Sequence, residues 1–454
     1  MQIPHAFEER MTHAMGADWH SFRASLLEAP PVSIRINPRK KYTSTESQQI
    51  PWCNQGRYLS KRPSFTLDPH LHAGAYYVQE ASSMFLEAVI SASVNLSKPI
   101  RVLDLCAAPG GKSTHLLSLL NNESLLVSNE VIRSRASILT ENIQKWGHAN
   151  VVVTNNDPED FQRVPGFFDV IVVDAPCSGE GLFRKDPSAM NEWSVENANL
   201  CSLRQRRILA DVWAALKDGG TLIYSTCTYN PEENEKNLSW FAQENAIEFV
   251  DIGELPAGVE KVSWQTSIGY RLMPGKVKGE GFFISAMKKT SNNSDFGHRK
   301  FRPTLSRKSI KEGSDWLPPH FHLIKQNELI LAWPVDFTDD IDQLIQTLNV
   351  ISKGVAVAEM KHSKLIPEHA LALCCDFNQH SVEAISLNYD QAITYLRKET
   401  LDLPGYPKGF AVVEFEGNAL GWINHLGNRI NNLYPLNWRI KMGPSSPTVE
   451  QTNS

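Results

Sequence analysis

Two cysteines stand where chemistry could be done. Cys177 lies in DAPCSGEG and Cys227 in STCTYNPEEN, each directly behind an apolar, β-branched run (FDVIVVD and GGTLIYS) that reads as a buried strand. A lone free cysteine is most often a small buried hydrophobe. Two at strand ends are different, because ligands of open α/β sheets sit beyond the carboxyl ends of the strands. A thiolate there can add to carbon 6 of a pyrimidine and turn carbon 5 into an enamine nucleophile, dividing one difficult methylation into easier steps. A second thiol nearby can assist release of the first. Asn230-Pro231-Glu232-Glu233 predicts a helix starting just past Cys227, with its positive end placed to lower that thiol's pKa.

The methyl donor is suggested by DLCAAPGGKST, Asp104 to Thr114. Its Gly-Lys-Ser imitates a phosphate loop, yet the glycine required five places before Gly111 is Cys106. The loop still offers small residues and a helix N-terminus for close backbone approach. Acids follow the successive strands at Glu130, Asp157 and Asp174, with Asp104 at the end of the first. Such a ring of acids disfavours a triphosphate and suits an uncharged adenosine carrying a sulfonium, which is S-adenosylmethionine. Glu130 is placed to accept hydrogen bonds from ribose hydroxyls.

These groups need a sheet to position them. From about residue 100, IRVLDL, LLVSNE, VVVTN and FDVIVVDAP alternate with helical segments, the pattern of a parallel sheet with crossover helices. A helix is predicted from the N-cap Ser194 to Leu216, GGTLIYSTC as the next strand, and EGFFISAMKK as the last. The fold class is therefore α/β, a doubly wound, Rossmann-like methyltransferase domain over 96–290. Residues 1–95 form a mixed N-terminal segment whose basic stretch SIRINPRKK reads as a solvated strand. Residues 291–315 read as a basic linker, with six Lys or Arg between Arg299 and Lys311 and no acid. A first C-terminal module is expected over 316–385, a β-rich module over 386–442 and a flexible tail over 443–454.

Composition sets limits on the whole. The 454 residues carry a net charge of −5, so any nucleic-acid site must be local. No apolar run approaches membrane-spanning length, and MQIPHAFEERM lacks the features of a secretion signal. Seven scattered cysteines without C-x-x-C spacing suit a reducing cytoplasm, and no metal is expected.

The stretches VLDLCAAPGGKSTHL, FDVIVVDAPCSGEGLFRKDP, LIYSTCTYNPEENE and GEGFF, with SIRINP and AGAYYVQEASSMF upstream, resemble the Sun-type RNA cytosine-5 methyltransferases. The resemblance covers roughly residues 30–290, and it implies that residues 1–95 are an N-terminal RNA-binding segment. It implies that Cys106, Ala107, Ala108, Pro109, Gly110, Gly111, Lys112, Glu130, Asp157 and Asp174 bind S-adenosylmethionine. It further implies that Cys227 is the nucleophile, that Cys177 assists breakdown of the adduct, and that Asp174 contacts the cytosine edge with Lys112 nearby. GWINHLGNRINNLYPLNWRIK is similar to the PUA-like RNA-binding module of the bacterial branch that modifies small-subunit ribosomal RNA, with Gly421, Trp422, Tyr434 and Pro435 in matching places. The implied partner is ribosomal RNA or the small subunit, met by a monomer. Transfer RNA as substrate, or a non-catalytic assembly role, are the alternatives. Phe183, Trp193 and Tyr229 are candidates to stack on a flipped base, against a core role that burial preferences favour.

Overall fold

The structure is a computed structural model describing residues 3–44, 48–290, 302–306, 308–362 and 364–442. Its centre is a ten-stranded sheet. The strands are β1 (Arg101–Asp104), β2 (Leu125–Asn129), β3 (Val151–Thr154), β4 (Phe168–Asp174), β5 (Leu216–Thr226), β6 (Ile247–Phe249), β7 (Glu260–Trp264), β8 (Ser267–Leu272), β9 (Phe282–Lys289) and β10 (Val350–Lys353). They lie in the order β7-β8-β9-β5-β4-β1-β2-β3-β10, with β6 beside β9. The five strands from β3 to β5 are parallel, and chain direction through the sheet reverses between β1 and β4. That switch point is where an open sheet leaves a crevice.

Alternation along each strand explains the apolar runs. Val102, Leu126, Val151, Val153, Val170 and Val172 face one layer, with α1 (Gly111–Leu119) and α2 (Arg133–Trp146) packed on it through Leu116, Leu139 and Ile143. Leu103, Val127, Val152, Ile171 and Val173 face the other, under α3 (Val195–Val212) and α4 (Glu235–Glu244). Strands covered on both faces read as continuous hydrophobic stretches. Ser194 caps α3 as expected, its side chain accepting from the Asn197 N–H. The helix ends at Val212 rather than Leu216, because Leu216 is already in the sheet, paired with Phe168. Its burial comes from the ladder, not from a helical face.

The C-terminal half corrects the domain scheme. The segment expected as a separate module over 316–385 gives the main sheet its last strand: β10 runs antiparallel to β3, with Val350 opposite Thr154. Ile341 and Leu344 of the helix Thr338–Thr347 join the core on the α3–α4 face. The terminal module begins earlier than 386, since Glu383–Ser386 is its first strand, parallel to Gly409–Phe415. The described part of the basic linker is docked: the Asp342 carboxylate accepts from the backbone of Thr304 and Leu305, and the Ile310 N–H donates to the Leu323 carbonyl. Arg299, Lys300, Arg307 and the tail over 443–454 lie outside the described residues.

The N-terminal segment opens with two helices, His5–Met15 and Trp19–Ser25, and continues into a four-stranded antiparallel sheet. Phe7, Met11, Trp19 and Phe22 pack on Phe183, Trp193 and Tyr229, all buried. Those three rings are therefore interdomain core and not stacking platforms. The basic stretch is not a solvated strand either. Arg35 is fully buried, its guanidinium 4.5 Å from the Trp146 ring and donating to Gln79, Thr114 and Ser118. Lys40 donates to the carbonyls of Ala73 and Leu373, and Arg39 pairs with Asp376 at 2.7 Å. Asn418 of the terminal module brackets Lys41, accepting from its N–H and donating to its carbonyl. The cations of this stretch join three parts of the chain.

Burial lowers the Arg35 pKa to about 10, which leaves it charged at neutral pH. Removing it strands several buried acceptors, so Arg35→Ala should cost about 3–5 kcal/mol of stability. Urea unfolding followed by tryptophan fluorescence checks this; a loss within error of zero would show that the guanidinium does not hold the interface.

Candidate active site

β1 delivers the loop Leu105–Gly110 to the crevice, with the Ala108–Pro109 peptide cis. The loop is pinned by the Ala107 N–H donating to the Asn129 carbonyl at 2.8 Å and the Gly110 N–H to the Ala107 carbonyl at 2.8 Å. Gly110 takes φ +115°, a left-handed conformation that turns the chain into α1. Asp104 is fully buried; one carboxyl oxygen accepts from Ser113 Oγ at 2.6 Å and the other has no protein partner. Burial raises its pKa to about 7. Glu130, also buried, accepts from the Ile132 N–H and pairs with Arg135 at 3.4 Å. The charges of Asp104, Asp174 and Glu130 all act on the Cys106 thiol, which burial pushes upward first. Asp157 caps the turn Pro158–Arg163 and meets Arg207 at 3.3 Å.

On the other side of the switch point the two cysteines meet. Cys177 Sγ and Cys227 Sγ are 3.2 Å apart, both partly exposed, whereas Cys53, Cys201 and Cys374 are buried. All seven cysteines are free thiols. The hydrogen bond with Cys227, and then burial, raise the Cys177 pKa well above that of a free thiol. Lys112 Nζ lies 2.8 Å from Asp174 Oδ2 and 5.0 Å from the Phe282 ring centre, and Ser225 Oγ donates to Asp174 Oδ1. The first turn of α1 thus faces the end of β4 through an ion pair.

What brings the sulfurs together is Glu233, read from the sequence only as an acid suited to a helix start. Its buried carboxylate accepts from Ser178 through both backbone N–H and hydroxyl, and from the Gln205 amide at 2.9 Å. Ser178 and Thr228 hydroxyls lie 3.0 Å apart, so the residues following the two cysteines are joined directly. Gly181 completes the arrangement: its N–H donates to the Cys227 carbonyl at 2.8 Å, and a Cβ there would come within 2.5 Å of the Gly281 oxygen. Gly181 of SGEG and Gly281 of GEGFF are required because two backbones touch there. The helix expected at Pro231 starts at Glu235, since residues 230–234 form a turn held by the Tyr224 hydroxyl on the Glu233 carbonyl. No helix N-terminus therefore adjoins Cys227. A separate buried group, Cys53, Glu87 and His115, lies between α1 and the N-terminal segment. Burial lowers the His115 pKa to about 4, and its imidazole Nε2 sits 3.0 Å from the Glu87 carboxylate.

Three family models match this chain. The 16S rRNA methyltransferase RsmB/F model covers residues 92–288, the N-terminal domain of 16S rRNA methyltransferase RsmF covers 3–81, and the methyltransferase RsmF PUA domain covers 382–440. Ribosomal RNA small subunit methyltransferase F of Shigella boydii serotype 4 is 32% identical over 475 residues, which span 95% of this chain and 96% of the relative. The chain belongs to the methyltransferase F family of 16S rRNA methyltransferases. The same-named protein of Escherichia coli O6:H1 is 31% identical with the same coverage. Among solved structures, a methyltransferase homolog protein from Pyrococcus horikoshii is 26% identical with a TM-score of 0.54, over 63% of this chain and 94% of that one.

The resemblance to Sun-type enzymes and the Rossmann-like domain flanked by an N-terminal domain and a PUA module are borne out. Among the described residues no helix is long and apolar enough to cross a membrane. At this candidate site, sequence reasoning missed Glu233, Gln205 and Ser225, which act on the cysteine turns and Asp174 through tertiary contacts. The one signal was the polar density of PEENE beside a cysteine.

Two tests follow from this geometry. Glu233→Ala leaves the Ser178 N–H without an acceptor and strips the Ser178 hydroxyl and the Gln205 amide of their charged one, leaving them only Thr228 and the Pro176 carbonyl, and should cost about 3 kcal/mol, with Glu233→Gln costing less; equal unfolding midpoints for wild type and Glu233→Ala would refute the tie. Asp104 holds its proton to about pH 7 when folded and releases it near 3.8 when unfolded. The unfolded chain thus binds fewer protons between those values, and stability falls as pH rises through the window. Asp104→Asn lacks this loss and should gain about 2–4 kcal/mol on the wild type between pH 5 and pH 8. Parallel melting curves at the two pH values read it.

Proposed function

We propose that this chain methylates carbon 5 of a cytosine in 16S ribosomal RNA, using S-adenosylmethionine and a covalent cysteine adduct at carbon 6. The observation that carries the reading is the pair of sulfurs 3.2 Å apart, beside the Lys112–Asp174 ion pair at the carboxyl ends of β4 and β5. Cofactor fit is supported by the unpartnered Asp104 oxygen and the buried Glu130 carboxylate around a close-approach loop. Cys106 to Lys112, Glu130, Asp157 and Asp174 would hold it, and when bound it supplies an electrophilic methyl group.

The chain's own groups account for the remaining steps. The two sulfurs lie close enough to share a proton, so either thiol can assist the other, and the family resemblance makes Cys227 the attacking group and Cys177 the assistant. Cys227 attacks as its thiolate: the S–C6 bond forms, the C5=C6 electron pair moves to carbon 5, and carbon 5 would take the methyl group supplied by the bound cofactor, whose bond to the sulfonium sulfur breaks and leaves a neutral thioether. Asp174 accepts from the exocyclic amine of the base, while Lys112 holds Asp174 in place. The carbon-5 proton then passes to water with Cys177 assisting, the C5–H electron pair re-forms the C5=C6 double bond, and the S–C6 bond breaks so that Cys227 leaves as thiolate. Both sulfurs can reach one base because it is flipped from its stack.

Wild type, Cys177→Ala and Cys227→Ala incubated with cofactor and 16S RNA, then run on a denaturing gel, test the roles. Cys177→Ala should accumulate a protein–RNA adduct and Cys227→Ala should form none. The reverse would exchange the two roles. Bisulfite mapping of ribosomal and transfer RNA from cells lacking the protein tests the substrate, since loss confined to transfer RNA would exclude the ribosomal choice.

A further inference from the structure

A net charge of −5 requires any RNA contact to be concentrated, and the fold concentrates one. A cleft of about 870 Å³ runs between the N-terminal sheet and the catalytic domain. Four exposed cations from three separate segments line it: Lys61 and Arg62, Lys185, and Lys278. Among the described residues none of the four is ion-paired to a carboxylate. Lys276, at the same rim, is already engaged with Asp18 and Glu260. Of the three acids that line the cleft, Glu280 is committed to Arg184 and Glu80 to the N–H groups of Ser82, Ser83 and Glu280, which leaves the exposed Glu28 at the rim against the four cations.

Two of the residues that line the cleft adjoin the active-site turns. Glu280 precedes Gly281, which abuts Gly181 under the Cys227 carbonyl. Gln79, on the cleft floor, lies against Gly111 at the start of α1. We infer that this cleft seats the single-stranded RNA flanking the target cytosine, its phosphates on Lys61, Arg62, Lys185 and Lys278. The inference rests on the reading of the chain as an RNA methyltransferase and adds where the strand lies. A single strand is favoured because the base must leave its stack and because the cleft is walled on two sides.

The test uses full-length protein and a fluorescein-labelled, single-stranded oligoribonucleotide of about 12 nucleotides, titrated over a salt series. The variant K61Q/R62Q/K185Q/K278Q should bind at least about tenfold more weakly and lose up to about 0.7 from the salt slope per phosphate contact removed. The control K98Q/K364Q, altering exposed cations outside the cleft, should bind like wild type. Unchanged affinity and slope in the cleft variant, or an equal loss in the control, would overturn the inference. So would a cleft variant that loses a polyglutamate probe but keeps the RNA, since the cleft would then serve an acidic protein segment. A matching melting temperature shows that the variant is folded. Binding is read without methyl transfer, so an inactive wild type that still shows the cleft effect sinks only the methylation reading.

Discussion

A buried carboxylate with three donors holds the centre of this molecule. β4 and β5 are neighbours, but the turns leaving them travel in different directions, one toward α3 and one toward α4. Glu233 gathers Ser178 and Gln205 onto one charged group. In a low-dielectric interior such charge-assisted bonds are strong when complete and expensive when broken. The separation of the sulfurs is thus set by residues that never touch them. The Gly181–Gly281 approach adds a steric constraint in the same place, so the cysteine turns are held by attraction on one side and by contact on the other.

The same economy appears at the N-terminus. Arg35 spends its guanidinium on neutral acceptors and an indole face, an arrangement that holds geometry more than it lowers energy. It anchors the N-terminal sheet to α1, the helix that carries Lys112. Glu180 does the equivalent for the first helix, accepting from Arg10 at 2.6 Å and from the Trp193 indole. The N-terminal sheet, the first helix and α1 are therefore fixed to the catalytic domain before any ligand arrives, as efficient positioning demands.

Much of this was legible in the chain. Strands buried on both faces announce themselves as apolar runs, and their ends carry Asp104, Glu130, Asp174, Cys177 and Cys227, so local pattern was enough to place the site. Partners far apart in sequence were not legible. Glu233 finds its donors at 178 and 205, and no local period signals that. Arg35 sits among other basic residues and looks solvated until its acceptors on α1 are known. Trp193 and Tyr229 needed Phe7 and Phe22, nearly the length of the catalytic domain away, to be recognised as core. Leu216 misled through helical spacing, because a buried leucine fits a helix face and a strand equally well. β10 was hidden for a different reason: VISK is short and partly exposed, and only the open side of β3 makes it a strand.

That short strand has a wider consequence. An open parallel sheet ordinarily ends in an unsatisfied row of backbone amides and carbonyls, an invitation to pair with another molecule. Here the chain returns from its far half to close the row itself, and the Gly354 N–H extends the seam by donating to the Val151 carbonyl. The catalytic fold and its C-terminal extension consequently share one hem. Removing the extension would not free a self-sufficient enzyme; it would unpick a border and leave the sheet adhesive.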